Sequence, residues 1–289
     1  MILSKIMLNL IQNYPFQYQD ENYFYLYRHM SFEDYYVSGI KNSTLYFSSP
    51  ANFNDPFDSS FALAEQPTKD FHKKILKNLG VQANPAQQIL NRKKSQKLLD
   101  QSFREGSFFE ERFKKVGIIC LNHHPLSILM WSHYANYHKG FLIELKFPKD
   151  SKKLESLDYL PFPVTYSAEF PRGNIDNFDE IQVYKMLYTK SQDWAYEHEF
   201  RILATGFKST DDQLRIYEYP KSWLTSIILG CKTSKIDADR IRCAVNALTA
   251  KTNQKIKIYE AQKCLNSFAL TVPNHPRLDV LGKSKRKKK

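Results

Sequence analysis

Residues Trp194 to Leu203 read WAYEHEFRIL, and how these ten positions are taken decides the fold. Glu alternates with His and Phe, and the run closes on Ile-Leu, a pattern that predicts a strand. Side chains two apart on a strand share a face, so Glu197 and Glu199 project together, with His198 and Phe200 on the other side. Two carboxylates on one face repel each other. Either that face is solvated, or one Glu is paired with Arg201 or Lys190, or the pair is held together for chemistry.

Outward from this run, Asn22 to His29, Thr44 to Ser48, Val116 to Leu121, Gly140 to Phe147, Phe162 to Ser167, Leu224 to Leu229 and Ile256 to Ala261 also read as strands. Helices are predicted at the start (MILSKIMLNLI), at Ser31 to Gly39 with Ser31 as N-cap and Gly39 as stop, at Ser127 to Tyr137, and at Asp237 to Ala250. Strands outnumber helices without regular βαβ alternation. This predicts an α+β fold with a curved, mostly antiparallel sheet. Lys69 to Lys115 has helical periodicity broken at Asn84-Pro85, so residues 66–116 read as a basic helical insertion. The expected organisation is one domain over 1–275, followed by a basic flexible tail over 276–289.

The net charge of +12 has a narrow origin. Lys69 to Val116 carries +7 and the final KSKRKKK carries +6, which leaves the rest of the chain at −1. That distribution argues against a DNA-tracking groove across the fold. It leaves the insertion as a solvated face or a surface where a partner docks, and the tail as a solvated end, a localisation signal or an anionic-surface patch. Glycine excludes more: the closest two of the 9, Gly106 and Gly117, are eleven residues apart, so no Gly-rich phosphate loop and no nucleophile elbow can be written. Cys120, Cys231, Cys243 and Cys264 form no C-x-x-C motif, which suits a reduced, cytoplasmic chain. No cleavable signal peptide and no membrane span is expected.

Several residues keep company with the two glutamates. Arg28 and His29 end an aromatic strand, Ser48-Ser49 ends a second one, and FNDPFD follows with Asn54, Asp55 and Asp58 as a polar loop edge or ordinary turn chemistry. Trp131 and Tyr134, three apart on a predicted helix, share a face and belong either to the core or to a ligand-stacking surface. His133 and His138 are five apart and so do not form an i, i+4 metal pair. Cys120 near His123 or His124 reads as a buried small hydrophobe or as a thiol nucleophile.

Arg on one strand, Ser on the next and E-x-E on a later one resembles the R-S-E pattern of ADP-ribosyltransferases. The motifs YRH, LYFSSPANFNDPFD, MWSHYANYHKGF and W-x-YEHEFR also resemble those of a widespread, largely uncharacterised bacterial family, from about Phe24 to Ile258. The resemblance implies a mono-ADP-ribosyltransferase that moves ADP-ribose from NAD to a protein, and E-x-E goes with arginine as acceptor. It implies that Glu199 stabilises an oxocarbenium-like transition state and that Glu197 orients the acceptor. Arg28 or His29 would then hold NAD, with Ser48 or Ser49 bracing the site and Asn54, Asp58, Trp131 or Tyr134 lining it. NAD is the expected substrate, no metal is expected, and the partner is a target protein, a host protein if the chain is an effector translocated from a bacterium. Other acceptors, water or nucleic acid, fit the same fold. A basic nucleic-acid-binding protein, or a nuclease with Glu197, Glu199 and Asp58 as metal ligands, is the reading from another class.

Overall fold

The computed structural model describes residues 8–65, 67–78, 87–105, 107–157, 159–177, 179–210 and 215–281. At its centre a seven-stranded sheet is built from β1 (Tyr23–Met30), β2 (Val116–Asn122), β3 (Phe141–Pro148), β4 (Pro161–Pro163), β5 (Glu199–Thr205), β6 (Leu224–Leu229) and β7 (Lys257–Glu260). Their spatial order is β7-β6-β3-β1-β2-β5-β4. Every neighbouring pair is antiparallel except β6 and β7. The fold is therefore α+β with a mostly antiparallel sheet.

β1 and β3 pair along their whole length, from Tyr23 opposite Pro148 to Met30 opposite Phe141. Their nearly continuous apolar runs are explained by cover on both faces. Phe24, Leu26, Ile143 and Leu145 belong to the larger core, with Trp223 and Ile241, whereas Tyr25, Tyr27 and Leu142 pack with Trp131, Val272 and Leu278 on the other side. Burying a side chain of this size contributes about 1.5–3 kcal/mol, so the two cores dominate the stability of the sheet.

Helix α1 (Asp34–Asn42) begins at Glu33 rather than Ser31 and ends on Ser43, whose φ of 55° closes the last turn. Gly39 lies inside it. A Cβ there would come within 2.8 Å of the Thr44 carbonyl oxygen, so this glycine permits close packing and is not a stop. The insertion supplies α2 (Lys69–Asn78) and α3 (Gln87–Arg104), tied by a 2.8 Å bond between Ser95 Oγ and His72 Nδ1. Phe61 anchors the insertion to the body through ring contacts with Phe103 and Phe109, at 5.5 and 5.2 Å. Helix α4 (Ile128–Tyr134) is capped by Ser127, and α5 (Lys235–Thr252) by Ser234, whose Oγ accepts from the Asp237 N–H at 3.1 Å. Residues 8–12 are helical, consistent with the expected first helix, while residues 1–7, the Asn84-Pro85 break and residues 282–289 lie outside the described residues.

Three strand expectations are corrected. Thr44–Tyr46 pairs with Ile216–Glu218 in a separate two-stranded sheet, and Ser48 leaves that strand. Phe162 to Ser167 is split between β4 and Thr165–Ser167, which pairs in parallel with Thr189–Ser191. WAYEHEFRIL is not one strand. Gln192–Glu197 forms a 3-10 helix capped by Ser191, His198 takes φ 47°, and β5 starts only at Glu199. At the other end, Arg277 and Leu278, within the expected tail, are packed: Arg277 Nη2 lies 2.6 Å from Glu144 Oε2, and Leu278 is buried. Among the described residues no helix is long and apolar enough to cross a membrane.

Candidate active site

β1 and β2 meet in register at Tyr27 opposite Asn122. Further along β2, the neighbouring place is taken by Ser48: its N–H donates to Ile118 O at 2.9 Å, and the Ile118 N–H returns to Ser48 O at 2.8 Å. Where the two strands part, a cleft of about 790 Å³ opens. Arg28 and His29 enter it from β1, Ser48, Asn54 and Asp58 from the loop after Thr44–Tyr46, Tyr134 from α4, and Glu197 and Glu199 from either side of the start of β5.

A buried ion cluster forms the acidic wall. Lys190 Nζ donates to Glu197 Oε2 at 2.5 Å and to Glu199 Oε2 at 3.2 Å, and stands 3.7 Å from Asp58 Oδ2. Arg201 grips Glu199 through Nε at 2.8 Å and Nη2 at 3.1 Å. The same guanidinium forks onto Asp58, with Nη1 to Oδ1 at 2.9 Å and Nη2 to Oδ2 at 2.6 Å, and donates to Leu187 O at 2.6 Å. Both readings of a Glu paired with Lys190 or Arg201 are thus realised at once. The Tyr134 hydroxyl donates to Glu197 Oε1 at 2.6 Å, and the Glu199 N–H donates to the Tyr166 hydroxyl at 2.8 Å. Three carboxylates face two cations, so the cluster carries one negative charge in excess when all are ionised.

The two glutamates are separated electrostatically. Burial pushes the Glu199 carboxyl up, but Arg201 and Lys190 outweigh it and hold its pKa at about 2. Glu197 is raised by burial and by the Glu199 charge, against the pull of Lys190. Desolvation and the Glu199 charge push the Cys120 thiol well above its usual range, which removes the thiolate a nucleophile needs. His29 is driven down to about 3 by burial and stays neutral, its Nδ1 3.1 Å from Asn122 Nδ2.

Not every expected residue reaches the cleft. Ser49 is buried beneath the loop, where its Oγ donates to Phe113 O at 2.8 Å, so Ser48 is the hydroxyl on the cleft wall. Trp131 is buried in the smaller core, donating from Nε1 to Pro125 O at 2.7 Å, so of the two expected aromatics only Tyr134 lines the cleft. Asp58 lines the cleft with both oxygens engaged by Arg201, and Asn54 is exposed at the edge. Arg28 has no ion pair among the described residues, and its buried Nη1 has no hydrogen-bond partner there. Sequence reasoning missed Tyr166 and the link from Asp58 to Arg201. Neither carries a local signal, because the two partners of that link are 143 positions apart. Among the described residues no group of three or more His, Cys, Asp or Glu side chains could hold a metal ion.

Residues 130–202 match the model of a family described as Protein of unknown function (DUF2971). The matched stretch contains Tyr134, Lys190, Glu197, Glu199 and Arg201, while Arg28, Ser48 and Asp58 lie outside it. No curated protein and no solved structure matches the chain.

Proposed function

We propose that the protein transfers ADP-ribose from NAD to a protein side chain, an arginine guanidinium, with release of nicotinamide. The observation that carries this reading is the guanidinium of Arg28, which lies over the Tyr36 ring and has no ion pair among the described residues, in the same cleft as Glu197 and Glu199. NAD has the complementary layout: an anionic pyrophosphate, and a ribosyl carbon that becomes cationic as its bond to nicotinamide breaks. A buried donor without a partner costs about 1–3 kcal/mol or more, a cost that a phosphate oxygen would relieve. In this reading nicotinamide departs with the bonding electron pair. Glu199, held ionised, stabilises the oxocarbenium-like ribosyl cation. The acceptor nitrogen then bonds to the ribosyl carbon, and its proton passes to Glu197, whose raised pKa suits a base. Ser48 supports the ribose side of the site through its hydroxyl.

Incubation with adenylate-labelled NAD and a cell lysate tests the reading. The expected result is labelled protein together with free nicotinamide, both strongly reduced in Arg28→Ala and Glu199→Gln. Nicotinamide release without labelled macromolecule would assign water as acceptor, and label in nucleic acid would move the acceptor there. Absence of NAD binding by calorimetry overturns the proposal.

A further inference from the structure

A second cavity, of about 960 Å³, lies next to the cleft and shares Phe53 and Asp58 with it. It separates the loop around residues 50–63 from the inner side of the insertion. Its walls combine aromatic rings with acids. Phe57, Phe61, Phe103 and Phe108 supply rings, and Asp55, Asp100 and Glu105 supply carboxylates, against one cation, Arg104. Thus the insertion, basic in sequence, turns acids toward this space. Glu110 also borders it, 3.4 Å from Lys114, which hydrogen-bonds to Glu111 at 2.6 Å.

Asp55 distinguishes the cavity from an ordinary acidic surface. It is 7% exposed, its Oδ1 accepts from the Phe57 N–H at 2.9 Å, and its Oδ2 is buried with no hydrogen-bond partner among the described residues. A desolvated carboxylate oxygen with nothing to accept from calls for a donor, and a charged one most of all. The rings specify which kind. Aromatic faces attract cations, and in this region the rings already take guanidinium groups: Arg112 lies over Phe108 and Phe109 at 6.0 and 5.8 Å, and Arg201 over Phe53 at 5.4 Å. Phe57 and Phe170, exposed and with ring centres 6.4 Å apart, frame the cavity's edge.

We infer that this cavity is a binding site for an organic cation, a guanidinium held between phenylalanine rings and the Asp55 carboxylate. Resting on the transfer reading above, its occupant is a basic side chain of the target protein that flanks the modified residue. Docking here while the acceptor enters the neighbouring cleft makes the cavity a specificity subsite. The phenylalanines strip water from the guanidinium, which strengthens its bond to Asp55.

The test titrates the full chain with ethylguanidinium and with ethylurea, its uncharged analogue of the same shape, followed by calorimetry. Ethylguanidinium is expected to bind and ethylurea to bind about tenfold more weakly or worse, the loss corresponding to one charge-assisted hydrogen bond. Asp55→Asn should lower guanidinium affinity by about tenfold. Phe57→Ala, which removes an exposed ring and leaves the core intact, should lower it about threefold through the lost cation–π contact, and this variant decides the matter if Asp55→Asn does not fold. Equal binding of the two probes, or unchanged affinity in a folded variant, overturns the site. NAD binding is measured separately. Guanidinium binding without NAD binding upholds the cation site and rejects the transfer reading, whereas NAD binding without guanidinium binding rejects the cation site alone.

Discussion

Glu197 and Glu199 are two positions apart and titrate in opposite directions, because Arg201 contacts one and not the other. For Glu199, a folded pKa of about 2 against an ordinary 4.5 means a contribution to stability that is complete above pH 4.5 and lost as the pH falls toward 2. For Glu197 the sign is reversed: its raised pKa favours the folded state more as the pH falls from that pKa toward 4.5. If Glu197 takes the acceptor proton, only its ionised form works, so the acid limb of the pH–rate profile should lie above 4.5. Glu197→Gln should abolish transfer to protein while leaving slow NAD hydrolysis, measured as nicotinamide release. An acid limb at or below the ordinary carboxylate range would count against that role. Both partners of the glutamates were legible, since Lys190 and Arg201 are seven or fewer positions from Glu197. Asp58 was legible as a cleft residue but not as the clamp on Arg201, because only the folded chain brings positions 58 and 201 together.

At the scale of elements, the strands with apolar runs were readable and the segment that brings Glu197 to the candidate site was not. β1, β2, β3 and β6 have side chains that need burial on both faces, and their spans follow from that need. Gln192–Glu197 shows the limit. The alternation of Glu with His and Phe in WAYEHEFRIL imitates a strand, but the Ser191 cap and the left-handed His198 wind Gln192–Glu197 into a 3-10 helix that delivers Glu197 from a different direction than β5 delivers Glu199. The Ser48-Ser49 pair was likewise undecided by sequence; in the fold Ser48 lines the cleft, whereas Ser49 Oγ is turned onto Phe113 O. Ser49→Ala leaves Phe113 O without its 2.8 Å donor in a buried place and should cost about 1–3 kcal/mol, read as a lower Tm. Ser48→Ala should instead weaken NAD binding, read by calorimetry, with little change in Tm. The opposite pattern would return Ser49 to the site.

At the scale of the molecule, the described fold extends beyond the expected boundary at residue 275, and one carboxylate fixes that extension. Glu144 on β3 is completely buried and accepts from Tyr27 OH at 3.0 Å, Thr225 Oγ1 at 2.5 Å, Ser226 Oγ at 2.8 Å and Arg277 Nε at 2.9 Å. Arg277 also lies over the Tyr25 ring at 3.6 Å, so this single side chain ties the segment after β7 to β1 and β3. Burial raises the Glu144 carboxyl, and His275 and Arg277 more than reverse it, leaving its pKa below the ordinary 4.5. Its ionised form therefore stabilises the fold above pH 4.5, and that contribution fades as the pH falls below it. Arg277→Ala takes the guanidinium from the buried carboxylate and leaves it its hydroxyl donors and His275. The expected cost at neutral pH is about 3–5 kcal/mol by urea denaturation, the usual price of breaking a buried pair on one side. Without Arg277 the burial of Glu144 favours its protonated form, so acidification from neutrality toward 4.5 should relieve part of the variant's deficit and narrow its gap to the wild type. A deficit below about 1 kcal/mol, the scale of an exposed pair, would show that the C-terminal segment is not held by this contact.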